Sequence, residues 1–202
     1  NSKAALLKLA NLYETTRTQL AFEYLRKAID VDPQYAIAYS NLGEMSYRKG
    51  FYPQAMEAYE KYLGLVKPTP KDYAQYATIL YFNKQYSKAL EAISKAPQDY
   101  VMDRLKMYSL NELGNLSEAE AIGAKFMKET PVKDVISLDY TTYAKVLAKA
   151  KKYNDAAANY EAAFKLDTTK LHYVSEAAKA YERAKNYPKA IEKEWPVEEA
   201  LR

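Results

Sequence analysis

The residues that could do chemistry are few. His172 is the single histidine, and with Glu176 it makes an i, i+4 pair that one helix face could offer to a metal ion. A structural or catalytic metal site needs a third protein ligand, and no further histidine or cysteine is present to supply it. The absence of cysteine excludes disulfides, thiolate metal sites and cysteine nucleophiles. A serine triad would have to use His172, and no serine lies in a nucleophile motif. The five glycines (43, 50, 64, 114 and 123) fit neither a phosphate loop nor a dinucleotide fingerprint. Carboxylates such as Glu118 and Glu120 stand two apart on a helix and face different ways, and Glu198 and Glu199 read as solvated. The expectation is a chain without catalysis, cofactor or required metal.

What remains is aromatic and charged surface, and the elements that would position it. Hydrophobic residues make up 49% and charged residues 28% of the 202 positions, a composition that folds. With five glycines and eight prolines, little interrupts helix. A net charge of +4 from 30 basic and 26 acidic residues is too balanced to argue for nucleic acid. No apolar run approaches the ~20 residues of a membrane-spanning helix. The chain opens on Asn1, so it reads as a processed form or a cut piece. Zero cysteine leans slightly toward the bacterial periplasm or cell envelope over the cytoplasm.

The helices repeat. In "YNDAAANYEAAF" (153–164), Tyr153, Ala156, Ala157, Tyr160, Ala163 and Phe164 share one helical face. Small residues there admit a neighbouring backbone, and tyrosine fills the remaining gap. Related segments place Ala21, Ala55, Ala89, Ala119, Ala156 and Ala190 at steps of 34, 34, 30, 37 and 34. A preceding helix carries its own pattern: Leu6-Leu9-Ala10-Tyr13, Tyr39-Leu42-Gly43, Tyr73-Tyr76-Ala77-Leu80, Tyr140-Tyr143-Ala144-Leu147 and Val174-Ala177-Ala178-Tyr181. Gly50 and Gly114 fall in the turns inside repeats, where a positive φ is cheap.

This pattern of paired helices with a 34-residue period resembles the tetratricopeptide repeat (TPR) family over nearly the whole chain. The resemblance implies an all-α solenoid of about six stacked antiparallel helix pairs, about twelve helices in a right-handed superhelix. Its repeats would cover roughly 2–35, 36–69, 70–99, 100–133, 137–170 and 171–202 of one array. The inner alanines should be buried, since no pair can cover its apolar face alone. The fourth repeat departs: Asp103 and Lys106 occupy positions expected to be large and apolar, which leaves its register open. In the sixth, Glu194 replaces an aromatic and Trp195-Pro196 breaks the helix.

The resemblance also implies a concave groove lined by the first helix of each repeat. Carried over by position, the groove residues are Tyr47, Arg48, Lys71, Tyr81, Phe82, Tyr108, Lys145, Lys149, Lys179 and Arg183. The carboxylate clamp of one TPR subfamily is matched at Asn11, Asn41 and Lys71. Leu7 and Gln75 stand where its other cations belong, so the clamp is not expected. The groove reads as bipartite, aromatic toward the N-terminal side and basic toward the C-terminal side. The functional expectation is a non-enzymatic scaffold binding a protein or peptide segment that can carry acidic residues, and neither nucleic acid nor membrane. The alternative is a structural assembly module, or a regulatory arm of a larger protein whose catalytic or anchoring part lies elsewhere.

Overall fold

The computed structural model describes residues 2–192. Glu194 and the Trp195-Pro196 break lie outside the described residues. The chain forms two compact units that divide after Pro97.

The first unit holds three helix pairs: α1 (Lys3–Tyr13) with α2 (Thr18–Val31), α3 (Ala36–Arg48) with α4 (Tyr52–Leu65), and α5 (Pro70–Phe82) with α6 (Tyr86–Ile93). The second holds α7 (Tyr100–Leu113) with α8 (Leu116–Glu129), and α9 (Ser137–Lys149) with α10 (Tyr153–Leu166). It continues with α11 (His172–Arg183) and a helical segment over 187–192. A short 3-10 turn over Val132–Asp134 precedes α9. Among the described residues there is no strand.

Each first helix from α3 onward ends in the same way. An amide just past the helix end reaches back five residues: Phe51 to Ser46, Gln85 to Leu80, Asn115 to Leu110, Lys152 to Leu147 and Asn186 to Tyr181, all at 2.8–2.9 Å. This Schellman geometry requires a left-handed residue in between. Gly50 (φ 79°) and Gly114 (φ 76°) take that place as the sequence predicts. Lys84, Lys151 and Lys185 take it in the other turns at φ 59°, 63° and 59°. A side chain there costs ~1 kcal/mol or more. The turn is therefore set by the helix ends it must join, with glycine as a convenience.

The repeated alanines do what their spacing predicts. Ala21, Ala55, Ala89, Ala119 and Ala156 are fully buried and Ala190 nearly so. In the first unit Ala10, Phe22, Leu25, Leu42, Met45 and Ala58 form one core cluster, and Ala55, Tyr59 and Ile79 another. In the second, Ala144, Leu147, Ala156, Tyr160, Ala177 and Tyr181 pack together. Several tyrosines, buried or half-buried, tie their hydroxyl to a carboxylate of a neighbouring helix. Tyr62 donates to Asp72 (2.9 Å), Tyr76 to Glu60 (2.7 Å) and Tyr181 to Glu161 (2.8 Å). A ring that fills a thin helical layer thus still satisfies its polar tip.

The fourth repeat settles its register through charge. Lys106 reaches Glu118 at 2.8 Å, and Asp103 accepts from Lys125 at 2.7 Å, both across the α7–α8 pair. Met107 and Leu110 on the same helix are fully buried. Ion pairs therefore replace the apolar contacts expected at 103 and 106, and the register counted back from Ala119 holds.

Candidate functional site

In the first unit, the expected aromatic residues cluster among themselves. Tyr47 meets Phe82 edge-on, with ring centroids 5.4 Å apart, and Tyr52 of α4 stacks on Phe82 at 5.3 Å. Tyr81 contacts both Phe82 (5.4 Å) and Tyr86 (5.6 Å). Phe82 remains 42% exposed, and Phe51, one residue before Tyr52, 51%. The cluster gathers where first helices end and second helices begin. Burial, with Tyr52 alongside, raises the Tyr47 pKa above the ordinary phenol value. Tyr47, Tyr81 and Phe82 are among the expected groove residues; Tyr52 and Tyr86 come from second helices, which a groove lined by first helices leaves out.

Arg48 does not contribute free positive charge. Its Nε donates to Glu14 Oε1 at 2.9 Å, its Nη2 bonds the same oxygen, and its Nη1 lies 3.5 Å from Glu44 Oε2. These residues rim a cavity of about 210 Å³ whose other lining residues are Asn11, Asn41, Ala10, Leu25 and Met45. Asn41 Nδ2 donates to Asn11 Oδ1 at 3.0 Å. Two of the clamp-like positions therefore come together, but beside two carboxylates that would repel a carboxylate ligand. Lys71 is exposed and is not among the residues lining the cavity.

In the second unit, Tyr108 is buried, which corrects its placement on a binding face: its hydroxyl donates to Asp139 Oδ1 at 2.6 Å. Asp139 is fully buried near the start of α9 and accepts from four donors. Besides Tyr108 these are Arg104 Nε (2.8 Å), Arg104 Nη2 (2.9 Å) and the Ile136 amide (2.9 Å). Arg104 Nη2 also bonds the Asp134 carbonyl at 2.6 Å, and its guanidinium lies over the Phe126 ring. Burial works against the Arg104 charge, but the bonds and attraction to Asp139 outweigh it and raise its pKa above the usual arginine value. This network joins α7, α9 and the 3-10 turn. Its acceptors, Asp139 and the Asp134 carbonyl, lie in the interval of 37 residues between Ala119 and Ala156, and the 3-10 turn supplies the second of them.

Four of the expected basic residues lie on α9 and α11. Lys145, Lys149, Lys179 and Arg183 are all exposed. Lys179 pairs with Glu176 at 2.8 Å, and Lys149 Nζ bonds the neutral Asn111 Oδ1 at 3.0 Å. Lys145 and Arg183 have no ion-pair partner among the described residues. A small cavity of about 70 Å³ between α9, α10 and α11 brings Lys179, Arg183 and Glu176 beside Tyr153 and Tyr160. Burial, then the nearby Glu176, pushes the Tyr160 pKa up to about 12. Glu176 is thus engaged away from His172, which is exposed and lies against Tyr173. The described residues contain no group of three or more metal-ligating side chains, and no helix long and apolar enough to cross a membrane.

Stacked pairs, buried alanines at 34-residue steps and a Schellman turn inside each pair from the second onward define the repeat. The fold is that of the tetratricopeptide repeat. The family's sequence model matches residues 4–72. No curated protein matches the sequence significantly. Among solved structures, the chain is similar to PilW, a widely conserved type IV pilus biogenesis factor, with a TM-score of 0.72 and 16% identity over 98% of this chain and 93% of that one. PilF from Pseudomonas aeruginosa gives 0.69 and 18% over 98% and 91%. YrrB, a TPR protein with an unusual peptide-binding site, gives 0.68 and 19% over 88% and 90%. At these identities the likeness is one of fold.

Proposed function

We propose that this chain is a protein–protein interaction scaffold, without catalytic activity of its own, that holds partner segments against the faces of its first helices. The observation that carries this reading is the exposed face of α9 and α11. Lys145 and Arg183 have no ion partner among the described residues, and Lys149 bonds a neutral amide. A fold with no internal use for these charges leaves them for a partner, and acidic residues complement them. The exposed edge of the Tyr47–Phe82 cluster offers apolar anchorage in the first unit. An extracytoplasmic location agrees with the absence of cysteine and with a pilus biogenesis factor among the fold's relatives.

The test is to capture partners on the intact chain and measure association rates with Lys145→Glu plus Lys149→Glu. Binding through this face predicts slower association, with a deficit that shrinks as salt rises. Crosslinks confined to the second helices, with unchanged kinetics, would replace this reading by that of an assembly module.

A further inference from the structure

We infer that the cavity between α1, α2 and α3 receives the side chain of a lysine or arginine carried by a partner segment. This rests on the scaffold reading and adds the chemistry of one subsite. At about 210 Å³ the cavity holds roughly seven waters at about 30 Å³ each. That is below the ~300–1,000 Å³ of small-molecule and cofactor sites, and it suits one inserted side chain.

The lining residues decide which side chain. Ala10, Leu25 and Met45 make an apolar floor that a hard divalent ion, which seeks six or more oxygens, would not choose. Glu14 and Glu44 on the rim repel an anion. Arg48 neutralises one of the two carboxylates, so one negative charge is left uncompensated within the lining. The arrangement also leaves acceptors open. Arg48 takes Glu14 Oε1 twice, and Oε2 of that carboxylate has no bonded partner among the described residues. Glu44 Oε1 has a single long contact, 3.5 Å from Ser40 Oγ. A wholly apolar side chain would desolvate these groups without replacing their bonds. A methylene stem along the floor with a cationic head at the rim satisfies both parts. Asn11 and Asn41, hydrogen-bonded side by side, flank the entrance with amide groups that can meet the main chain of the same segment.

The experiment pans a phage-displayed dodecapeptide library on the whole chain and titrates enriched peptides by fluorescence anisotropy. Enriched peptides should share a lysine or arginine, and replacing it by glutamine should weaken binding roughly tenfold. Glu14→Gln with Glu44→Gln should abolish that difference. Arg48→Gln, which removes the competing cation, should strengthen the same peptides, a gain that misfolding cannot imitate. Peptides that respond to Lys145→Glu and Lys149→Glu but not to Glu14 and Glu44 would overturn this assignment and leave the scaffold reading intact. Peptides insensitive to every first-helix substitution, or none enriched, would count against the scaffold reading. Nα-acetyl-lysine methylamide then decides the cavity alone, by NMR shifts of the Asn11 and Asn41 side-chain amides: their movement supports it, and their failure to move overturns it.

Discussion

In the first unit, Gly43 of α3 lies under the ring of Tyr59: an added Cβ would stand 3.1 Å from Tyr59 Cδ2. In the second, Met107 of α7 holds the place matching Gly43, and Gly123 of α8 holds the place matching Tyr59. The volumes have changed sides of the helix pair. The space vacated at 123 is taken by Tyr143 of the next repeat, whose Cδ2 would be 2.4 Å from a Cβ on Gly123. Charge differs in the same way. Arg48 in the first unit makes its ion pairs at the surface, with Glu14 and Glu44. Arg104 in the second is drawn into a buried site by Asp139. Interiors are close-packed, so a repeat tolerates an inverted pair of sizes only if a neighbour fills the gap. A buried charge is tolerated only if every lone pair and proton finds a partner. The irregular steps of 30 and 37 fall around the pair where both conditions are met by special means.

The sharpest way to break the contrast is Asp139→Ala. It strands the Arg104 guanidinium and Tyr108 hydroxyl in the interior and should cost ~3–5 kcal/mol. Urea denaturation measures the loss, and hydrogen exchange should place it on α7 and α9. Arg48→Ala, the matching surface change, should cost ~1 kcal/mol or less. The double change Arg104→Met with Asp139→Leu should recover most of the loss, because removing both charges leaves neither unpaired.

Glycine tests the exchange of volumes next. Gly123→Ala forces the Tyr143 ring to move and should cost ~1–3 kcal/mol. Gly43→Ala asks a few tenths of an ångström of Tyr59 and the Ala55 carbonyl, and better helix propensity offsets part of that. Its thermal melt should shift less. An equal shift for both would mean that Tyr143 is free to leave its place.

The turns give a smaller effect of opposite sign. Lys84→Gly, Lys151→Gly and Lys185→Gly should each stabilise by about 0.5–1 kcal/mol, since relief of the left-handed strain exceeds the added freedom of the unfolded chain. Gly50→Ala and Gly114→Ala should destabilise by a similar amount.

The smallest contrast is in alkali, where both units should behave alike. Burial, with the hydrogen bond to Glu161, pushes Tyr181 up to about 12, and Tyr160 reaches about the same value. Burial likewise raises Tyr59, Tyr62 and Tyr76 in the first unit. A phenol raised above its unfolded value of 10.0 favours the fold while it is neutral. That contribution is complete below about pH 10 and fades as pH rises through 12. A pH series of denaturant midpoints, with Tyr181→Phe flatter than the parent, checks the sign.

How the parts became legible differs by residue. The sequence alone determined the helices, their pairing and the burial of Ala21, Ala55, Ala89, Ala119, Ala156 and Ala190, because these follow from a period that any stack of helix pairs must keep. The family resemblance, carried over by position, placed Lys145, Lys149, Lys179 and Arg183 on first helices as groove residues, and all four are exposed. Tertiary structure decided the rest. Tyr108 looked like a surface aromatic until Asp139, 31 residues on, claimed its hydroxyl. Arg48 looked like free charge until Glu14, 34 residues back, bound it. Whether a polar side chain is a contact for a partner or a strut for the fold depends on what meets it across a helix interface. Periodicity fixes which positions meet, but the ionic and hydrogen-bonding choice is made by the pair of residues that arrive there.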